Sequence, residues 1–207
     1  MREALNAVGQ SGRCLVMVGD YVNRGSASAD VLELLCELSE DLGPRLHLLR
    51  GNHDAALLEF LDRGGLAPFA LLGGLRTMSS YGVATVDDPT AEFRRAFPAR
   101  HRAVLDATAG CLELDGLLIS HAGFDPASPD RRDDHAMVFG HFPQLFSPTR
   151  PRQDFVSVCG HYVQADMTPF VSDDFVCLDS GCGTIDGAPL SVLLWPEREC
   201  RSFGALA

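Results

Sequence analysis

The sequence predicts an α/β protein, and three observations lead to this fold class. Short apolar runs bounded by turn residues are typical of buried strands, an amphipathic stretch between the first two runs is typical of a helix, and several runs end in polar loops. The chain has 207 residues, of which 46% are hydrophobic and 22% charged, as in globular proteins. We therefore expect a single domain over residues 1–207.

The predicted strands are short apolar runs. They lie at residues 15–18, 46–49, 117–119, 155–158, 175–178 and 190–194. A further run at 111–114 is joined to 117–119 by Asp115-Gly116, a dipeptide that indicates a β-hairpin.

Residues 29–42 are predicted to form a helix that ends at Gly43-Pro44. One face of this helix carries the apolar side chains Val31, Leu34, Leu35, Leu38 and Leu42. Strand, helix and strand in this order predict that residues 15–18 and 46–49 form a parallel pair.

The pattern changes from about residue 59 to residue 110. Helical patches alternate here with the helix breakers Gly64-Gly65, Gly73-Gly74, Pro89 and Pro98. We expect a small helical insert that packs against the α/β core.

Composition excludes several classes of function. The formal net charge of -11 argues against nonspecific binding of nucleic acid, which depends on clustered basic residues. No apolar run approaches the roughly 20 residues that span a bilayer, so no membrane partner is expected. The first ten residues do not resemble a secretory signal, and we expect a cytoplasmic protein.

The seven cysteines include no CxxC pair. Cys14, Cys111, Cys159 and Cys177 lie in apolar, strand-like runs, and we expect them to be buried free thiols. A regulatory pair between Cys177 and Cys182 is left open.

Four of the predicted strands end in loops with polar side chains. These loops contain Gly19-Asp20, residues 51–54, residues 121–123 and Gly160-His161. Each motif alone is common in ordinary turns, but the carboxyl ends of strands in an α/β sheet gather binding side chains at one edge. Together the four loops predict one site.

The ordered motifs GDYVNRG (19–25), GNHD (51–54), HAG (121–123) and GHY (160–162) resemble the phosphoprotein phosphatase branch of the calcineurin-like metallophosphoesterases. SYG at 80–82 and LDSG at 178–181 extend the resemblance over nearly the whole chain, and it is strongest to small bacterial members. The resemblance implies the α/β sandwich of that family, with a small helical insert.

The resemblance also implies a site for two metal ions. Asp20 would bridge both ions, while Asn52, His121 and His161 would complete the ligands of the second ion. Oxygen and imidazole donors suit manganese, iron or zinc, of which we expect manganese. A divalent ion neutralises phosphoryl oxygens and makes water more acidic.

Three more residues are candidates for catalysis by resemblance. His53 would protonate the leaving alkoxide, and Arg24 would bind the phosphoryl oxygens through its planar fork of donors. A structural loop histidine and a surface ion pair are the alternatives. Asn23 stands where the family has an aspartate that pairs with the catalytic histidine, and an amide carries no charge. We therefore expect a lower pKa for His53 here than in an Asn23→Asp variant.

The first motif of the family, GDxHG, is absent. In the family it precedes the helix that MREALNAV matches, and its Asp and His bind the first metal ion. The N-terminal strand would be missing with it, and Asp20 alone would remain at that ion. Either the natural protein extends upstream of Met1, or the chain is a catalytically impaired phosphate-binding protein.

An arginine of the family that lies in a W-x-R motif between HAG and GH is also missing. The corresponding residues, 138–141, contain no arginine. Arg131, Arg132, Arg150 and Arg152 are possible replacements, although each is equally typical of a loop surface.

These observations predict a metal-dependent phosphoesterase that acts on phosphoserine or phosphothreonine in proteins. Symmetrical hydrolysis of diadenosine tetraphosphate is the enzymatic alternative, since those hydrolases share the motifs. A non-catalytic phosphate-binding or scaffold protein is the alternative from another class. The expected partner is a phosphorylated protein or a small phosphoester.

Overall fold

The computed structural model of the chain describes residues 1–8, 12–83, 87–114, 116–128, 130 and 132–204. The chain divides into two compact units, one of residues 15–109 and one of residues 1–14 with 110–207. Each unit combines helices with a sheet, which confirms the predicted α/β class. Within the described ranges, no helix has both the length and the apolar character needed to cross a bilayer.

The helices are α1 (Arg2–Val8), α2 (Ser28–Leu42), α3 (Asn52–Arg63), α4 (Leu66–Leu71), α5 (Gly74–Ser80), α6 (Pro89–Ala96), α7 (Ala99–Asp106) and α8 (Asp134–Phe139). The strands are β1 (Leu15–Met17), β2 (Leu46–Leu48), β3 (Cys111–Leu114), β4 (Leu117–Ser120), β5 (Val156–Cys159), β6 (Phe170–Val171), β7 (Phe175–Cys177), β8 (Leu190–Leu194) and β9 (Glu199–Phe203). Every predicted strand is present with ends within one residue of those expected. The short β6 and the polar β9 are not among the predicted strands.

In the unit of residues 15–109, β1 pairs in parallel with β2, and Leu15 lies opposite Leu46. The predicted strand, helix and strand are thus confirmed, with α2 as the connection. On α2, Leu34 and Leu35 are buried as predicted, but Leu32 and Cys36 are buried as well. The buried face is wider than predicted because both α5 and α7 pack against this helix.

The helices α3 to α7 enclose an aromatic cluster. The rings of Phe60 and Phe69 stack at 4.5 Å, and Tyr81 meets Phe93 edge-on at 5.5 Å. Burying one such side chain contributes about 1.5–3 kcal/mol. The cluster therefore fixes the segment between α4 and α5, which includes Gly73. The boundaries of a helical insert at about 59–110 stay a prediction.

The unit of residues 1–14 and 110–207 contains a five-stranded sheet with the order β3-β4-β5-β7-β6. The three central strands are parallel, and the edge strands are antiparallel to their neighbours. β3 and β4 pair as the hairpin signal predicts, although Asp115 lies outside the described residues. Because the central strands are almost entirely buried, their sequences are mainly apolar, and Ser120 and Ser157 are their only polar residues. β8 and β9 form a separate antiparallel pair.

The prediction that four cysteines are buried free thiols is confirmed for two of them and wrong for the other two. All seven are free thiols, so Cys177 and Cys182 are not joined. Cys159 and Cys177 are buried as predicted, whereas Cys14 is exposed and Cys111 is half-buried. Cys14 precedes the first paired residue of β1, and Cys111 begins the edge strand β3, so neither is covered on all sides.

Candidate functional site

The loop after β1 and the loop after β2 touch at Asp20 and Gly51. Gly19 and Asp20 both have positive φ, 95° and 59°. A side chain on Gly19 would collide with the backbone of Gly51, and one on Gly51 would collide with the Asp20 carboxylate. The two glycines are therefore required for the close approach of the loops.

A buried carboxylate that the sequence analysis did not single out holds these loops together. The side chain of Asp54 is fully buried and accepts hydrogen bonds from the backbone N–H groups of Asp20 (2.8 Å), Tyr21 (2.9 Å) and Gly51 (2.9 Å). Only the bond to Gly51, at the start of α3, has a local sequence signal, because it belongs to a capping box. Asp54 therefore fixes the backbone on both sides of the predicted metal ligand Asp20.

Asp54 and Asp20 place two carboxyl groups in a small volume. Complete burial, and then the Asp20 carboxylate, raise the pKa of Asp54 to about 8, while its three N–H donors lower it. A cation beside Asp20 would offset the repulsion between the two carboxylates. The pair therefore favours a bound positive charge at Asp20.

His53 lies next to Asp20. It occupies the first turn of α3, directly after Asn52, and is 3% exposed. Its backbone N–H donates to Asp20 Oδ1 (3.1 Å), and its ring Nε2 lies 4.0 Å from Asp20 Oδ2. The structure thus brings together the predicted general acid His53 and the predicted metal ligand Asp20. The predicted ligand Asn52 lies beside them as the first residue of α3.

Asn23 contacts the other ring nitrogen of His53, with 3.1 Å between Asn23 Nδ2 and His53 Nδ1. The Thr77 hydroxyl donates to Asn23 Oδ1 (2.8 Å) and accepts from the Asn23 backbone N–H (2.8 Å). Because Thr77 occupies the amide oxygen, the amide NH₂ faces His53, whose Nδ1 accepts and whose Nε2 carries the proton. The sequence analysis did not identify Thr77, since nothing local to it indicates this contact.

Arg24 is exposed and has a positive φ of 58°. Its backbone N–H donates to the carbonyl oxygen of Gly73 (3.4 Å), and a Cβ on Gly73 would stand 3.0 Å from Arg24 Cγ. Because Gly73 has no side chain, Arg24 can lie directly over the turn between α4 and α5.

The other two predicted ligands lie together in the unit of residues 1–14 and 110–207, after β4 and β5. His121 Nε2 and His161 Nδ1 are 3.0 Å apart, with the ring planes at 76°. The Gly160 N–H donates to His121 O (2.9 Å), and the Tyr162 hydroxyl donates to Ala122 O (2.9 Å). These bonds hold the two histidine loops in a fixed relation.

The donor atoms fit a divalent metal ion chemically. Two nitrogen ligands at about 2.1 Å from one ion and at right angles to each other are about 3.0 Å apart, which is the spacing of His121 Nε2 and His161 Nδ1. Asp20 and Asn52 would add oxygen ligands. That all four bind one ion stays a prediction. In the part of the chain that the structure describes, no three His, Cys, Asp or Glu side chains form a metal-binding group.

The arginines considered as replacements for the missing W-x-R arginine have structural partners. Arg132 pairs with Glu113, Arg150 with Asp174 and Arg152 with Asp173. The Arg150 pair is nearly buried, and Arg131 lies outside the described residues.

Solved structures of phosphatases resemble this chain. A candidate diadenosine tetraphosphatase is 22% identical with a TM-score of 0.67, over 100% of this chain and 88% of that one. A cold-active protein-tyrosine phosphatase from a psychrophilic Shewanella species is 15% identical with a TM-score of 0.55, over 91% and 68% of the two chains. A serine/threonine phosphatase from Saccharomyces cerevisiae is 15% identical with a TM-score of 0.50, over 100% and 76%. At these identities the likeness shows the fold.

No curated protein matches the sequence. The model of the calcineurin-like phosphoesterase family, however, matches residues 1–182, a range that contains every predicted site residue. The chain therefore belongs to the calcineurin-like phosphoesterases.

Proposed function

We propose that this chain is a metal-dependent phosphoesterase that hydrolyses phosphomonoesters, with phosphoserine and phosphothreonine in proteins as the leading substrates. The observation that carries the proposal is the buried His53 beside Asp20, with Arg24 on the adjoining loop. A proton donor, a carboxylate for metal ions and an anion-binding side chain are the groups that phosphoryl transfer needs.

The proposed metal ligands are Asp20, Asn52, His121 and His161, and manganese is the proposed ion, with iron and zinc as alternatives. When bound, a divalent ion supplies positive charge at the phosphoryl oxygens and activates water. The protein's own contribution is to orient Asp20, which it does through the hydrogen bonds of Asp54 to the backbone on both sides.

His53 is the proposed general acid, and Arg24 orients the phosphoryl group. Proton donation to a leaving alkoxide requires the imidazolium form of His53, in which both ring nitrogens carry protons. Its Nδ1–H then needs an acceptor, which Asn23 offers once its amide turns over and Oδ1 replaces Nδ2. Thr77 must then accept from Nδ2 instead of donating to Oδ1, so the neutral imidazole is the better-satisfied form here.

We expect Asn23→Asp to move the basic limb of the kcat pH profile to higher pH. A carboxylate accepts from Nδ1–H without rearrangement and stabilises the imidazolium, so His53 remains a proton donor to higher pH. Thr77→Val, which releases Asn23 Oδ1, should shift the limb in the same direction by less. Profiles of the three proteins on a phosphopeptide provide the comparison, and three superimposable profiles would contradict the proposed contact.

The proposed activity predicts that the purified chain hydrolyses para-nitrophenyl phosphate with manganese and that chelation of the metal abolishes turnover. A panel of phosphopeptides and dinucleoside polyphosphates then separates the two enzymatic candidates. Diadenosine tetraphosphate is included because the fold of the candidate tetraphosphatase resembles that of this chain over 100% of this chain's residues. A preference for phosphopeptides supports a protein phosphatase, and a preference for the dinucleotide supports the hydrolase.

The alternative without catalysis is a phosphate-binding protein with an impaired metal site. Elemental analysis of the purified chain distinguishes the two possibilities. Two metal ions per chain with turnover of para-nitrophenyl phosphate would exclude this alternative. One ion or none, with phosphate binding and no turnover, would contradict the proposed enzyme.

A further inference from the structure

Two arginines meet at one carbonyl oxygen. Gly73 O accepts from the backbone N–H of Arg24 (3.4 Å) and from the backbone N–H of Arg76 (3.2 Å). Arg24 follows β1, whereas Arg76 lies in α5, so the fold and not the sequence brings them together. All three residues belong to the compact unit of residues 15–109.

The side chains of both arginines are exposed at this point. Among the arginines that the structure describes, Arg45 and Arg76 alone show neither an ion pair nor a side-chain hydrogen bond. The chain has 28 acidic residues and a net charge of -11, so carboxylates are plentiful. A shortage of acidic partners therefore does not explain why Arg76 has none among the described residues. Arg76 is therefore available to a ligand.

The chemistry of the pair indicates the class of ligand. One guanidinium group can hold two oxygens of a single phosphoryl group. Because the backbone N–H groups of Arg24 and Arg76 bond to the same carbonyl oxygen, the two arginines start from neighbouring points, and a second guanidinium group here provides for a second anionic group next to the first. Arg132, Arg150 and Arg152, the other candidates for such a role, are held in ion pairs.

We propose that Arg76 forms a second anion-binding position beside Arg24, and that it selects substrates in which a further phosphoryl group adjoins the one attacked. The inference rests on the proposed phosphate-binding role of Arg24. It extends the proposed substrates from isolated phosphomonoesters to polyphosphate esters, such as dinucleoside polyphosphates.

Binding tests the inference without turnover. Inorganic tripolyphosphate and inorganic phosphate are titrated calorimetrically into the chain at a fixed concentration of free manganese. Because a charge-assisted hydrogen bond is lost, Arg76→Ala should weaken tripolyphosphate binding about tenfold or more, with less than about a threefold effect on phosphate. Arg45→Ala, which removes an equally unpaired arginine of the same unit, should change neither. Equal effects of Arg76→Ala on both ligands, or none, would overturn the proposal.

Hydrolysis provides the second arm. Arg76→Ala should lower kcat/KM for diadenosine tetraphosphate about tenfold and leave that for para-nitrophenyl phosphate nearly unchanged. A loss confined to a peptide with aspartate beside phosphoserine would overturn the polyphosphate class in favour of acidic phosphopeptides. If the chain hydrolyses none of these substrates and still binds tripolyphosphate as expected, the proposed function is contradicted. The second anion position is then supported.

Discussion

A His53→Ala variant should lose activity unevenly across leaving groups. On a phosphoserine peptide, whose alkoxide must be protonated as it leaves, kcat should fall by about 10² to 10⁴. On para-nitrophenyl phosphate the loss should be much smaller, because nitrophenolate is stable without a proton. The two kcat ratios, measured with the same preparations and saturating manganese, give the effect.

Two measurements separate this effect from damage to the fold. Metal content by elemental analysis should be unchanged, since His53 is not among the proposed ligands. His101→Gln is the matched control, because His101 is equally buried in the same unit but contacts Tyr81 (2.7 Å) and Glu33 (3.0 Å). Any loss of kcat in the His101→Gln control should be the same for both substrates. A His53→Ala variant that loses the same factor on both substrates would contradict the role of general acid.

The sequence could predict the strands and the site loops because both depend on local pattern. A buried parallel strand is mostly apolar on both faces, so β4 and β7 are visible as apolar runs, and β5 as an apolar run interrupted by Ser157. The loops that follow β1, β2, β4 and β5 contain the motifs, and in the first two of them Gly19 and Gly51 stand where a side chain would collide with the neighbouring loop. The family model matches residues 1–182, a range that contains all four loops.

The side chains that position the predicted residues could not be found in this way. Thr77 contacts Asn23 across 54 residues of sequence, and Asp54 reaches Asp20 and Tyr21 across 34 and 33 residues. Such contacts depend on which backbone N–H groups the fold brings within reach, and no periodicity encodes them. The burial of Leu32 was missed for a related reason, because the helices that cover α2 are distant in sequence.

Replacing Asp54 by asparagine should destabilise the protein and weaken its binding of manganese. The amide has nearly the same shape as the carboxylate, but one of its two ends is a donor. Placed at Oδ2, the NH₂ group faces the N–H groups of Asp20 and Gly51; placed at Oδ1, it faces that of Tyr21. Each buried N–H left without an acceptor costs about 1–3 kcal/mol, and each kcal/mol lowers the Tm of a chain of this size by roughly 2–4 °C.

Asp88→Asn is the matched control for this substitution. Asp88 also accepts a backbone N–H, that of Ala91 (3.0 Å), but at an exposed helix start where water can replace it. Thermal unfolding and manganese titration of both variants distinguish two roles for Asp54. A lower Tm with unchanged manganese affinity would mean that Asp54 stabilises the loops without positioning Asp20. A fall in both, with Asp88→Asn unaffected, is the result expected if the three hydrogen bonds hold Asp20 in the orientation that a metal ion requires.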